Sequence, residues 1–392
     1  MFSDLQPAPA DPILGLMARF REDARIDKLD LGVGVYRDAS GKTPVMRAVR
    51  AAEQLRLAEE DTKTYQGMLG DVAFGTELQA LSFGMLAPSL GERLATVHTP
   101  GGTAALRVAA DLVKAARPQA RVWLADPSWD NHAPLFRAAG LEVATYPYLD
   151  AARATLREDA LLAALDTVAA GDVVLFQASC HNPAGIDIGA ALWTNIAETA
   201  NRRGFVPLVD MAYQGLGDGL DEDAGGLRTL AARVPELLLT ASCSKNFGLY
   251  RERTGAVSLL AATPAHTRAA LSVLLRGIRA NYSMPPAHGA AIVARVLARP
   301  ELRADWLAEL DAMRAYLGRM REDLAAAIEA EGDDPGSLRQ RHGMFAIMAL
   351  PEGGAERLRQ QHGIYLLDSG RINLAGLGHD GAARLARALH AL

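Results

Sequence analysis

From about residue 100 to residue 280 the chain alternates short apolar runs with stretches patterned for helices. The runs are VWLAD (122–126), LEVATYPY (141–148), DVVLFQAS (172–179), FVPLVD (205–210), ELLLTAS (236–242) and GAVSLLA (255–261). Strands that alternate with helices predict crossover units and a mostly parallel sheet. Several of the runs are apolar throughout, the pattern of strands buried on both faces. Ligands of such sheets sit beyond the carboxyl ends of the strands, so the residues that end each run are where chemistry is expected.

Farther along, Trp306, Leu310, Met313, Leu317, Met320, Leu324 and Ile328 step by three or four, which predicts a long amphipathic connector helix. A strand-like MFAIMAL (344–350), a helix, then IYLLD, RINLAGL and an Ala/Leu-rich helix predict a smaller α/β domain. The expected division is an N-terminal arm over 1–14, residues 15–44 joining the smaller domain in space, a large domain over 45–305 and a small C-terminal domain over 306–392. The opening MFSDLQPAPADP lacks helical pattern and is rich in Pro and Ala, so it is expected to be an extended arm of the kind that lies on a partner subunit. No internal repeat or low-complexity tract stands out.

Composition narrows the class. At 392 residues, with 49% hydrophobic and 22% charged residues, the chain has room for two domains and a cleft between them. Its net charge of -5 and lack of a Lys/Arg cluster argue against nucleic-acid binding. The opening segment has acids and prolines where a secretory signal needs a basic end and an apolar run, and no stretch reaches about 18 uninterrupted apolar residues. Neither export nor a membrane span is expected. The two cysteines, Cys180 and Cys243, form neither a disulfide framework nor a metal-type pair, so a cytoplasmic location and no metal site are expected.

The strand ends carry the candidate chemistry. FVPLVD finishes on Asp210 with Tyr213 three residues later, and ELLLTAS runs into Cys243, Ser244, Lys245 and Asn246. A lysine just after a buried strand can be desolvated, which lowers its pKa and makes it a nucleophile towards carbonyls and a proton carrier. A carboxylate beside it would keep the ring nitrogen of pyridoxal phosphate protonated, making the ring an electron sink. Read alone, Asp210 equally suits a turn cap and Lys245 a side chain that snorkels to water. Gly101-Gly102-Thr103 opens the helical run AALRVAADLVKAA, a place where backbone N–H groups and a hydroxyl face an anion, although the same residues also make an ordinary capped loop. Ser242, Ser244 and Arg253 flank Lys245 and could serve the same phosphate.

Ten strings in order from about residue 30 to the end resemble the fold-type-I aminotransferases of the aspartate/aromatic kind: GVGVYRDASGKTPVM, TYQGMLG, PGGTAALR, DPSWDNH, CHNPAGID, DMAYQG, SCSKNFGLYRERTG, IRANYSMPPAHGA, ELRADWLAELDAMR and SGRINLAGL. The resemblance implies a three-layer α/β fold, a large cofactor-binding domain on a mostly parallel seven-stranded sheet and a smaller α/β domain. It implies pyridoxal 5'-phosphate held by Lys245, with Asp210 partnering the pyridine nitrogen, Asn182 and Tyr213 donating to the phenolic oxygen, and Trp129 stacked on the ring. Gly102, Thr103, Ser242 and Arg253 resemble phosphate ligands, joined by Tyr65 of a second subunit in a homodimer. Arg371 resembles the grip on the substrate α-carboxylate, with Gly34, Asn182 and Trp129 around the substrate. Arg279 resembles the arginine that reaches across the dimer to a side-chain carboxylate. Lys245, Asp210, Tyr213 and Trp129 are the expected catalytic set, acting on amino acids and 2-oxo acids.

The sequence departs from the commonest pattern at Ala184, Ala104, Thr64 and Met284. Thr64 and Met284 make the surroundings of the substrate side chain less amide-rich, which favours transfer from aromatic as well as dicarboxylic amino acids to 2-oxoglutarate over a strict aspartate enzyme. Rival readings have less behind them. Gly41-Lys42-Thr43 lacks the leading glycine and buried strand of a phosphate-binding loop, and no G-x-G-x-x-G follows a strand. A regulatory protein without turnover would be expected to have lost Lys245 or Arg371. A lyase or decarboxylase on the same fold stays open, because bond choice depends on which substituent stands perpendicular to the ring.

Overall fold

The computed structural model describes residues 1–7, 12–150 and 155–392. Its centre is a sheet of seven strands: β1 (Leu94–Pro100), β2 (Arg121–Asp126), β3 (Glu142–Pro147), β4 (Val173–Gln177), β5 (Val206–Met211), β6 (Leu237–Ser242) and β7 (Thr254–Leu260). They lie in the order β1-β7-β6-β5-β4-β2-β3. Neighbours are parallel except around β7, which runs antiparallel to both β1 and β6. The start of β7 therefore lies at the same sheet edge as the ends of the other strands.

Both faces of the sheet are dry, which explains the unbroken apolar runs. Along β4, Val173 and Leu175 pack to one side with Leu106 and Leu112, while Val174 and Phe176 pack to the other with Trp193 and Ile196. The first face is covered by helices Gly101–Ala116 and Pro264–Asn281 and the second by Ala190–Arg203 and Gly225–Ala231, giving three layers. Full burial of one such side chain stabilises by about 1.5–3 kcal/mol, so the strands that carry the site are held from both sides.

The first strand is the one that no apolar run announced. Its sequence, LATVHTP, carries Thr96, His98 and Thr99, and His98 and Thr99 are fully buried all the same. Their polar atoms hide the strand from a hydrophobicity pattern. Burial also pushes the His98 pKa down to about 4, keeping the ring neutral.

The connector helix runs from Pro300 to Ala330, six residues earlier than the apolar pattern begins, because a proline fits a helix's first turn. All seven apolar positions named above are buried. At its start Trp306 stacks on Phe247 with ring centres 4.5 Å apart, and its indole N–H donates to the Asn246 carbonyl at 2.7 Å. The connector thus clamps the loop that carries Lys245.

In the smaller unit Phe345–Ile347 pairs antiparallel with Arg371–Asn373, and Leu29–Asp30 pairs in parallel with Ile364–Tyr365. MFAIMAL is therefore strand over three residues only. RINLAGL leaves the strand at Asn373, whose side-chain oxygen accepts from the Ala375 N–H at 3.0 Å and starts a 3-10 turn. At the other end a helix spans Pro12–Glu22, so residues 12–14 of the expected arm are helical, and residues 8–11 of that arm lie outside the described residues. Leu16 of this helix packs against Tyr365 and Leu367. Among the described residues no helix is long and apolar enough to cross a membrane.

Candidate active site

A cleft of about 260 Å³ opens at the carboxyl edge of the sheet. Residues from the large unit reach it from the end of β1, β2, β4, β5 and β6 and from the start of β7; Ile13, Gly34, Phe345 and Arg371 close it from the other side.

Asp210 and Lys245 both line this cleft. Asp210 sits between Gln177 and Thr240 in the register of β4, β5 and β6. Its Oδ1 accepts from the Thr240 hydroxyl at 2.8 Å and its Oδ2 meets His132 Nε2 at 3.1 Å. His132 is fully buried, and its Nδ1 lies 2.8 Å from the Ser128 hydroxyl. A carboxylate only accepts, so Nε2 carries a proton towards Asp210, and in the neutral ring Nδ1 accepts a hydrogen bond from the Ser128 hydroxyl. Asp210 is thereby fixed in direction with room left to accept one more bond from the cleft.

Lys245 lies beyond the end of β6, with its ammonium 4.7 Å from the centre of the Tyr213 ring. Desolvation lowers its pKa to about 8, with the charges of Arg253 and Arg371 acting the same way and Asp210 opposing them. An amine so tuned is partly neutral near pH 8 and can both attack and accept a proton. Burial pushes the Tyr213 hydroxyl well above its usual range, so it stays a donor.

One end of the cleft is built for an anion. Gly102 and Thr103 present the first turn of helix Gly101–Ala116, Ser242 and Ser244 face them, and Arg253 completes the group. The glycines are there for space: a Cβ on Gly101 would come within 2.5 Å of the Arg253 guanidinium, and one on Gly102 would press on Ser242 at 3.0 Å. Helix-end N–H groups, three hydroxyls and a guanidinium form the donor set a phosphate needs. Arg253 holds a positive φ of 53° while its Nη1 donates to the Tyr250 carbonyl at 3.0 Å, which aims the fork at the helix end.

The opposite end presents a cation. Arg371 is buried; its Nη2 donates to the Gly32 carbonyl at 2.7 Å and its Nη1 to Asn182 Oδ1 at 3.3 Å, with the guanidinium 4.5 Å from the Phe345 ring centre. Its Nε has no partner, and no carboxylate pairs with it among the described residues. Burying an arginine in this way is costly unless a bound anion completes the pairing. Trp129 forms the remaining wall, edge-on to His132 with ring centres 5.2 Å apart.

Of the residues expected from sequence, Lys245, Asp210, Tyr213, Trp129, Asn182, Gly102, Thr103, Ser242, Arg253, Arg371 and Gly34 meet in this one cleft. Tyr65 and Arg279 do not line it: Tyr65 is 92% exposed, and Arg279, at the end of helix Pro264–Asn281, is exposed and bonds Ser283. Thr64 and Met284 also lie outside it. Other residues of the site escaped the sequence pattern, Ile13, Gln177 and Phe345 of the lining among them. His132, Ser128 and Thr240 hold Asp210, and Tyr250 lines the cleft while accepting from the Tyr36 N–H at 2.8 Å. Only Thr240 had a sequence signal, its place opposite Asp210 once the two strands are paired in register. Gly41-Lys42-Thr43 forms a tight turn around the Asp38 carboxylate, not a phosphate loop.

Residues 26–389 match the family model for class I and II aminotransferases. Among similar proteins are a tyrosine aminotransferase of Rhizobium meliloti strain 1021, 47% identical over 98% of both chains, and an aspartate aminotransferase of Escherichia coli strain K12, 46% identical over 100% of both. The structure of an aromatic-amino-acid aminotransferase from Burkholderia pseudomallei, solved covalently bound to pyridoxal phosphate, superposes with a TM-score of 0.97 at 41% identity and covers 100% of this chain and 99% of that one.

Proposed function

Because the chain belongs to the class I and II aminotransferases, which work on pyridoxal phosphate, and is itself a transaminase, we propose that it moves the amino group of aromatic and dicarboxylic L-amino acids to 2-oxoglutarate. The observation that carries this reading is the single cleft in which Lys245 and Asp210 stand between an anion cradle and an unpaired buried arginine. In it the cradle of Gly102, Thr103, Ser242, Ser244 and Arg253 would hold the cofactor's phosphate, Lys245 its aldehyde group and Asp210 its ring nitrogen. When bound, pyridoxal phosphate supplies an electron sink for the electrons released at the substrate α-carbon.

The protein's own residues do the rest. Arg371 grips the substrate α-carboxylate through a planar fork, a geometry that lysine cannot reproduce. That grip sets the α-hydrogen towards Lys245, whose ε-amine, once the substrate's amino group has displaced it, would take the α-proton and hold it for return. Asp210, braced by Thr240 and His132, supplies the fixed negative charge that holds a proton on the ring nitrogen. Asn182 and Tyr213 would donate to the ring oxygen, and Trp129 with Ile13 would shield the reacting face from water.

Substrate breadth follows from what lies outside this chain's cleft. Arg279 and Tyr65 are exposed on its surface, as suits residues supplied to a neighbouring subunit's site in a homodimer. Arg279 pairs there with a side-chain carboxylate, while Thr64 and Met284 leave the neighbourhood without the amides of a strictly dicarboxylate site. The relatives named for tyrosine and for aspartate bracket this range. Both cysteines are free and buried, which fits a reducing cytoplasm. Initial rates with aspartate, tyrosine, phenylalanine and tryptophan against 2-oxoglutarate test the reading: activity with all four supports it, and activity with aspartate alone restricts the enzyme to dicarboxylates.

A further inference from the structure

A second crevice, about 250 Å³, has walls that are sequence neighbours of the active cleft. Asp130 forms one wall, immediately after Trp129. Leu16 and Arg19 of helix Pro12–Glu22 form the other, together with Arg359 and Asp368. This helix packs against Tyr365 and Leu367, and its Ile13 lines the active cleft. The crevice therefore crosses the seam between that helix and the loop after β2.

The charges across it are unevenly satisfied. Arg359 is saturated, by Glu356 at 2.6 Å, Asp368 at 2.9 Å and the Leu366 carbonyl at 3.1 Å. Arg19 has a single loose ion pair, to Glu356 at 3.7 Å, with its side chain 58% exposed. Asp130 is exposed and makes no hydrogen bond or ion pair among the described residues. Its negative charge is nonetheless felt at Arg371, where it favours the charged guanidinium. A carboxylate bound to Arg371 would take over that compensation and leave Asp130 unengaged.

We propose that Asp130 and Arg19 are a positioning pair, forming an ion pair across the seam when a carboxylate substrate binds Arg371 and so pressing Ile13 and Trp129 against the substrate. The chemistry does not pass through either residue. Both act through their neighbours, since Trp129 adjoins Asp130 and Ile13 stands six residues before Arg19 on one helix. The inference rests on the reading of Arg371 as the carboxylate grip.

The test uses the purified holoenzyme with maleate, a dicarboxylate without an amino group, as a binding probe, alongside KM and kcat for aspartate and tyrosine. Asp130→Asn and Arg19→Gln should each weaken maleate and raise KM about two- to fivefold, the size of an exposed ion pair, with kcat nearly unchanged. The double variant should be no worse than either single one, as coupled residues require. The charge swap Asp130→Arg with Arg19→Asp should recover binding to within about twofold of wild type, and about 1 M salt should erase the differences. Unchanged binding in the single variants, multiplied losses in the double or no recovery in the swap overturns the pair. If wild-type protein binds no maleate, the assignment of Arg371 falls first; if it binds and the variants match it, the pair alone is wrong.

Discussion

The ammonium of Lys245 stands 4.7 Å from the centre of the Tyr213 ring, held over an aromatic face in place of a counter-ion. Burial there brings its pKa down to about 8. The neutral amine, the form that attacks an aldehyde, therefore gains population as pH rises through 8. Capture of pyridoxal phosphate by the cofactor-free protein is expected to accelerate from pH 6.5 to 9 with a midpoint near 8, followed by the growth of visible absorbance. A rate independent of pH across that range contradicts the assignment.

Lys245→Ala is expected to lower kcat by at least about 10²–10⁴-fold, the contribution of positioned acid–base catalysis, because it removes both the proton carrier and the attachment point. Single-turnover rates with aspartate measure this, and turnover near the wild-type rate removes Lys245 from the mechanism.

Arg371→Lys replaces a planar fork by a point charge and leaves the Asn182 and Gly32 oxygens without their geometry. Charge-assisted bonds of this kind are worth about 1.5–3 kcal/mol, so KM should rise about 10- to 100-fold for aspartate and tyrosine alike. An effect confined to one of the two places Arg371 elsewhere than on the common α-carboxylate.

Arg279→Leu makes the opposite, selective forecast. Aspartate and glutamate should lose about 10- to 100-fold in kcat/KM, while phenylalanine changes little. Equal losses for both classes contradict a role on the side-chain carboxylate. Mixing this variant with Lys245→Ala protein also reads the dimer: shared sites regain activity in hybrids, and separate sites do not.

The buried ring of His98 has its pKa pushed down to about 4 from an ordinary value near 6.5. The unfolded chain then binds the proton that the folded one refuses, so stability falls as pH drops from 6.5 towards 4. His98→Gln removes that titration. Its melting temperature should fall less steeply than the wild-type value over this window, and parallel slopes contradict the account.

Strands β4 to β7 were legible because both faces are buried, and β2 and the edge strand β3, only partly buried, because apolar residues still dominate them. Strand β1 was not, since Thr96, His98 and Thr99 sit within it and satisfy or hide their polar atoms only once the sheet exists. The connector helix was legible from its apolar steps, but not its grip on the loop just after Lys245 through Trp306 and Asn246. Asp210 and Lys245 could be found as strand-end residues. Of the supports of Asp210 only Thr240 was within reach, through strand register; His132 lies 78 residues away in sequence and meets Asp210 only through the loop after β2. Lone polar residues carry no periodic signal. Tyr65 and Arg279 illustrate the other limit: a single chain leaves them exposed, so their roles rest on resemblance and on the hybrid experiment.

The central claim is that Lys245 holds the cofactor opposite Asp210. Borohydride reduction of the yellow holoenzyme, followed by proteolysis and peptide mass analysis, reads it directly. The account predicts one phosphopyridoxyl group, on the peptide containing Ser244-Lys245-Asn246, which disappears when the protein is first converted by excess aspartate. A label on another lysine, or a holoenzyme that reduction leaves unlabelled, contradicts it.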